Sequence, residues 1–119
     1  MKTKEWLESI GKSIDSMDAN RFADFLTEDC TFRFGNQPDV IGKKEVTEYV
    51  AAFFKMIGGS EHKVVDYWKR EDSVVWQGEV LYTRLDGKKV NVNFTNIFMM
   101  NGKLIKDYLI YIDNTPLFA

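Results

Sequence analysis

The chain has 119 residues, 45% hydrophobic and 14% aromatic, enough to bury one core, and predicts a single domain over 1–119. Its net charge of −2 arises from charges of both signs scattered along the chain, so no basic patch points to nucleic acid. One cysteine, Cys30, excludes an internal disulfide and suits a reducing compartment. The N-terminus carries no apolar run of signal-peptide type, and no run is long enough to span a bilayer. A soluble cytoplasmic protein without membrane contact is expected.

In chain order, Trp6, Ile10, Ile14 and Met17 recur at helical spacing. Asp18 is a suitable N-cap for a short second helix carrying Phe22, Phe25 and Leu26. CTFRF (30–34) alternates as a strand does, and GNQPD (35–39) is turn chemistry. After Gly42 a third helix presents Val46, Tyr49, Val50, Phe53, Phe54 and Ile57 as one wide apolar stripe, stopped by Gly58-Gly59. From residue 60 the period changes to two. Four strands are predicted, at about 61–70, 74–84, 89–100 and 104–113, joined by turns at Glu71-Asp72, Asp86-Gly87 and Asn101-Gly102. Helices followed by a meander give an α+β architecture, with three helices packed in the concave face of a curved antiparallel sheet.

The stretch VNVNFTNIF (90–98) raises a question of face. Val90, Val92, Phe94 and Phe98 mark an apolar side, and Asn96 falls among them. An amide in a closed core needs a partner, whereas in a lined hollow it can orient a ligand. A two-residue loop at Asp86-Gly87 would pair Leu81 with Val92, Glu79 with Phe94, Gln77 with Asn96 and Val75 with Phe98. The neighbouring turns would place Asp66 beside Gln77, Trp68 beside Val75, and Asp107 beside Asn96. A polar row of Asp66, Gln77, Asn96 and Asp107 would then cross the concave face. A bulge at Lys103-Leu104 would instead send Tyr108, Ile110 and Ile112 inward, in place of Asp107, Leu109 and Tyr111. The same register puts Trp76, Val80, Tyr82, Ile97 and Met99 on the convex face, and an apolar patch there predicts a homodimer through Trp76, Tyr82, Ile97 and Met99.

Three segments carry a family resemblance: FADFLTEDCTFRF (22–34), VIGKKEVTEYVAAF (40–53) and NGKLIKDYLIYIDNTPLF (101–118). Together they resemble the nuclear transport factor 2-like superfamily and, within it, the SnoaL-like group. The resemblance implies a cone-shaped, cystatin-like fold with a deep pocket, frequent dimers, and relatives that are isomerases, epoxide hydrolases, cyclases, dehydratases or binding modules. Where the isomerases carry a general-base aspartate and an oxyanion-hole tyrosine, this chain has Phe34 and Ile10. Against the epoxide hydrolase set, Glu79 resembles one aspartate and Gln77 stands at the arginine position. Leu109 or Ile110 stands at the other aspartate, and Phe32 and Phe34 at the helper positions.

His62, the only histidine, is read as a pocket-rim residue able to pair with Glu61 or Asp66. Cys30 reads as a small buried hydrophobe. One histidine and one cysteine do not make a metal site, and GKKEV lacks the glycine spacing of a phosphate loop, so no metal and no cofactor are expected. The expected function is a pocket for a small, largely apolar ligand, lined by Phe32, Phe34, Trp68, Gln77, Phe94, Asn96 and Asp107, with catalysis left open. The alternative is an isomerase, cyclase, dehydratase or hydrolase using Glu79 or Asp66 as general base.

Overall fold

A computed structural model describes residues 2–119. Helix α1 (Thr3–Asp15) and the short α2 (Ala19–Ala23) precede strand β1 (Leu26–Phe34) and a two-residue strand β2 (Val40–Ile41). Helix α3 (Lys43–Phe54) then leads to the meander β3 (Gly59–Arg70), β4 (Ser73–Thr83), β5 (Lys89–Asn101) and β6 (Leu104–Ile112), and a single 3₁₀ turn, Thr115–Leu117, follows. Asp18 caps α2 as its position suggested, accepting from the backbone N–H groups of Asn20 and Arg21 at 3.0 and 3.2 Å. The apolar stripes of α1 and α3 bury Leu7, Ile10, Val46, Val50 and Phe54.

The six strands form one curved sheet in the order β2-β1-β6-β5-β4-β3. The expectation of a wholly antiparallel sheet is corrected at one seam, because β1 and β6 run parallel. Helix α3 carries the chain from β1 to the opposite edge, and the meander works back until β6 meets β1.

The hairpin between β4 and β5 decides which residues face inward. Its loop has three residues, Leu85-Asp86-Gly87. Gly87 donates to the Arg84 carbonyl at 3.0 Å, Arg84 donates to the Lys88 carbonyl at 2.8 Å, and Gly87 holds φ at +87°. This is a type I turn closed by a left-handed glycine, one residue longer than the expected loop. The extra residue slips the register by one: Val80 pairs with Val92, Trp76 with Asn96, and Gln77 with Thr95. Because side chains alternate faces, the whole of β4 turns over. Val74, Trp76, Val80 and Tyr82 are buried in the core, while Gln77, Glu79 and Leu81 lie on the outer side. Trp76 and Tyr82 therefore do not contribute to a convex-face patch.

The two other hairpins each contain a register shift. The pairings Asp66 with Gln77 and Trp68 with Val75 occur as expected, but on the outer face that β4 imposes. A bulge at Val65 then restores the inward direction for Ser60, His62 and Val64. In β6 the turn residues are Gly102-Lys103, and a bulge at Lys106 directs Tyr108, Ile110 and Ile112 inward. The alternative register for the last strand is the one found, with the irregularity two residues later. Asp107 consequently pairs with Met99 on the outer face.

The outer face carries an apolar row across four strands: Trp68 pairs with Val75, Val75 with Ile97, and Ile97 with Leu109. Trp68 is 53% exposed and neighbouring Met99 41%.

Candidate functional site

A cavity of about 50 Å³ lies between the helices and the inner face of the sheet, with room for on the order of two or three water molecules. Its walls are aromatic and aliphatic, and include Phe22, Phe32, Phe34, Phe53, Phe94 and Tyr108. It abuts a more open cleft of about 520 Å³ near the end of β6. Phe34, Tyr49, Phe53 and Ile112 line both spaces and so form the partition between them. Phe34 and Phe53 meet edge to face, with ring centroids 4.9 Å apart.

Asn96 reaches this cavity. It is 3% exposed, and its Oδ1 has no hydrogen-bond partner. A buried carbonyl without a donor costs about 1–3 kcal/mol, so an unpaired one at a cavity wall calls for an explanation.

The second polar feature is His62 on β3. Its ring lines the cavity beside Trp76 and Phe94, at centroid distances of 6.0 and 5.7 Å. Its Nδ1 donates to Asp15 Oδ1 at 2.6 Å, and its backbone N–H donates to Asp15 Oδ2 at 2.8 Å. Ser60 Oγ donates to Asp15 Oδ1 at 2.8 Å. Burial by itself would raise the Asp15 pKa. The hydrogen bonds and charge of His62, with the Ser60 hydroxyl, outweigh that and hold the carboxyl below the usual carboxylate range. An ionised Asp15 accepts from Nδ1 and so fixes which face of the ring meets α1. Gly11 lets α1 approach this closely, since a Cβ there would lie 3.2 Å from the His62 Cβ. Burial also drives the Tyr82 and Tyr108 hydroxyls far above their ordinary pKa, so both remain protonated donors at the cavity wall.

Of the residues singled out from the sequence, Phe32, Phe34, Phe94 and Asn96 line the cavity. Glu79, Asp66, Gln77, Trp68 and Asp107 do not, because the three-residue hairpin and the Lys106 bulge put them on the outer face. There Glu79 accepts from Asn91 Nδ2 at 3.3 Å, Asp66 accepts from the Tyr67 backbone N–H at 2.8 Å, and Asp107 sits 3.8 Å from Lys106 Nζ. Gln77 and Glu79 border a shallow depression shared with Asn93, Thr95 and Tyr111. His62 was placed on the inner face, but its partner is Asp15 and neither Glu61 nor Asp66. Asp15 was missed. Its signal was positional: it lies four residues after Gly11 on the inward stripe of α1, and it ends a helix whose dipole disfavours an anion there.

Among the described residues no three His, Cys, Asp or Glu side chains converge as a metal site would require, and no helix is long and apolar enough to cross a membrane.

Solved structures of low sequence identity share this architecture. A nuclear transport factor 2-like protein from Anabaena variabilis is 23% identical, with 92% of this chain and 85% of that one covered at a TM-score of 0.81. A protein of ketosteroid isomerase-like fold from Catenulispora acidiphila, solved in complex with trimethylamine, is 13% identical over 92% and 86% of the two chains, at 0.84. An LEH-like epoxide hydrolase from M. tuberculosis is 13% identical over 96% and 84%, at 0.79. No curated protein matches the sequence. The family model for the SnoaL-like domain matches residues 7–108, and with the sheet order, the helices and the cavity already described, the chain belongs to the SnoaL-like domain family of nuclear transport factor 2-like fold.

Proposed function

We propose that this protein binds a small, largely apolar molecule with one hydrogen-bonding end, seated in the inner cavity and extending past Phe34 and Phe53 toward the outer cleft. The observation that carries this reading is the unpartnered Oδ1 of Asn96 in an otherwise apolar wall. A ligand O–H or N–H would satisfy it, while the rings of Phe32, Phe34 and Phe94 would cover the apolar part. The trimethylamine in the Catenulispora protein is likewise small and largely apolar, and in its protonated form it carries a single N–H.

Asn96→Leu separates the ligand role from the fold. Leucine has nearly the same shape and leaves no orphan carbonyl, so the variant should be about 1–2 kcal/mol more stable in denaturant unfolding. It should also lose ligand-induced stabilisation by a panel of small alcohols, hydroxy ketones and amines that raise the melting temperature of the parent protein. A variant that is less stable, or that responds to the panel unchanged, would count against the reading.

We also infer a homodimer through the outer sheet face, with its contact now assigned to Trp68, Val75, Ile97, Met99 and Leu109. The row crosses four adjacent strands, so a second copy turned by a two-fold axis can lay the same row against it. Ile97→Lys places a charge at its centre and should shift sedimentation from dimer to monomer with little change in circular dichroism. A parent protein that sediments as a monomer at tens of micromolar would remove the inference.

A further inference from the structure

The inner cavity holds one orphan amide oxygen, and the outer cleft beside it holds another. Asn114 follows β6 and lines that cleft, and its Oδ1 is shielded from water with no hydrogen-bond partner among the described residues. We propose that the ligand is two-ended: an elongated molecule with an apolar middle and a hydrogen-bond donor at each end, one donor on Asn96 Oδ1 and the other on Asn114 Oδ1. The proposal rests on the pocket reading above and adds a second polar end to the ligand.

The surroundings of Asn114 free its side chain for this role. It stands at the N-cap of the 3₁₀ turn, where an asparagine ordinarily bonds to its own turn, yet it makes no capping bond. Asp113 closes the turn instead: its Oδ1 accepts from the Thr115 backbone N–H at 3.0 Å and from Thr115 Oγ1 at 2.6 Å. Buried Leu117 pins the turn to the core, and Arg84 Nη1 donates to the Ala119 carbonyl at 2.8 Å, so the segment is held without any help from Asn114. Burial drives the Tyr82 hydroxyl's pKa up, and a hydrogen bond with Asn114 pulls against that rise. A bond that favours the phenolate is one donated to it, so the amide N–H₂ is turned to Tyr82 and the oxygen is left over.

The partition of Phe34, Tyr49, Phe53 and Ile112 separates the two spaces, and each of these residues is only half-buried. A ligand threaded between Phe34 and Phe53 parts the two rings and is covered by them along its apolar middle. The register sets its length. Asn96 pairs with Ile110, and Asn114 lies four residues further along the chain. At about 3.3 Å per residue the two levels are at most about 13 Å apart along β6. A hydrogen bond at each end takes up about 2.8 Å, which leaves the ligand's donors about 7 Å apart at the outer limit, roughly the reach of a four- or five-carbon chain.

An apolar crevice alone ranks ligands the other way. A second hydroxyl makes transfer from water less favourable, so a diol binds more weakly than the alcohol of the same length unless an acceptor meets its far end.

The probes are the α,ω-diols of butane, pentane, hexane and octane, each beside the straight-chain primary alcohol of the same carbon count. They are titrated into the isotope-labelled protein and followed by NMR at the side-chain amides of Asn96 and Asn114. The butane or pentane diol should bind about five-fold or more tighter than its alcohol, and the advantage should shrink at octane. Asn114→Leu should remove that advantage and leave the affinity for the alcohol unchanged, whereas Asn96→Leu should weaken both. A diol no tighter than its alcohol at any length, or a loss in Asn114→Leu shared equally by diol and alcohol, overturns the second end. The dependence of the alcohols on Asn96 then still judges the pocket. Diols and alcohols that both fail to bind overturn the proposal as well, and the wider ligand panel remains the test of the pocket. Should Asn114→Leu fail to fold, Asn114→Asp decides: its carboxylate should raise the preference for aminopentanol over the pentane diol by about ten-fold relative to the parent protein. No change in that ratio overturns the proposal.

Discussion

Gly78→Ala should lower stability by about 3 kcal/mol and disturb the cavity at the same time. Gly78 lies in the interior of β4 and pairs directly with Phe94 on β5. Its φ is not in the left-handed region, so the requirement is for space alone. A Cβ at this position would meet Phe94 Cζ at 2.4 Å and the Lys63 carbonyl oxygen at 2.6 Å. The Phe94 ring lies in the room that a side chain would take, which is how an aromatic residue can cover a glycine in a sheet. Overpacking in a close-packed interior typically costs 1–3 kcal/mol, and here one of the two clashes is with backbone, which cannot rotate away. Phe94 would be forced toward Trp76 and His62, whose ring centroids are 5.1 and 5.7 Å from its own. Denaturant unfolding of Gly78→Ala, Phe94→Leu and the double variant tests the origin of the loss. A smaller Phe94 should recover part of the stability but not all of it, because the clash with Lys63 persists. Full additivity of the two single losses would mean that the ring and the glycine do not share that space.

The helices and the apolar face of β5 were legible because their signals are local. The stripe Val46, Val50, Phe54 and the alternation Val90, Val92, Phe94 need no knowledge of a partner, and Asn96 was correctly read as facing inward. The faces of β4 and of the later part of β3 were not legible, because each depends on one residue more or fewer in a loop. Asp86-Gly87 looks like a two-residue turn, yet the glycine serves as the left-handed third residue of a longer one. That single difference carried Glu79 and Gln77 to the outer surface and brought Trp76 and Tyr82 into the core. The total burial of Trp76, Val80 and Tyr82 is the tertiary preference that outweighs the local turn signal. The bulges at Val65 and Lys106 were equally hidden, and the first happened to leave His62 facing inward. Asp15 could not be matched to His62 from the sequence, because forty-seven residues separate them and only the packing of α1 on β3 brings them together.

Asp15→Ala should remove about 3 kcal/mol, and its effect should depend on pH. The carboxylate accepts from Ser60 Oγ and from both the ring and the backbone of His62. Its removal leaves those donors at a half-buried seam with no acceptor, and losing one member of a buried pair commonly costs 3–5 kcal/mol. The side chain of Asp15 is 24% exposed, so water recovers part of the loss and the low end of that range applies. The pH dependence follows from the depressed pKa. In the unfolded chain the carboxyl titrates near its ordinary 3.8, and in the folded protein it titrates lower. Between those two values the unfolded state binds more protons, so stability falls as pH falls. The contribution is complete above about pH 4 and is lost as the pH drops through the folded value. In Asp15→Asn this limb should flatten, so that the difference in stability between parent and variant narrows steadily on acidification below about pH 4. Unfolding free energies measured at neutral pH and at steps below it give both quantities, and a difference that stays constant across the acid limb would mean that Asp15 is not held ionised by His62.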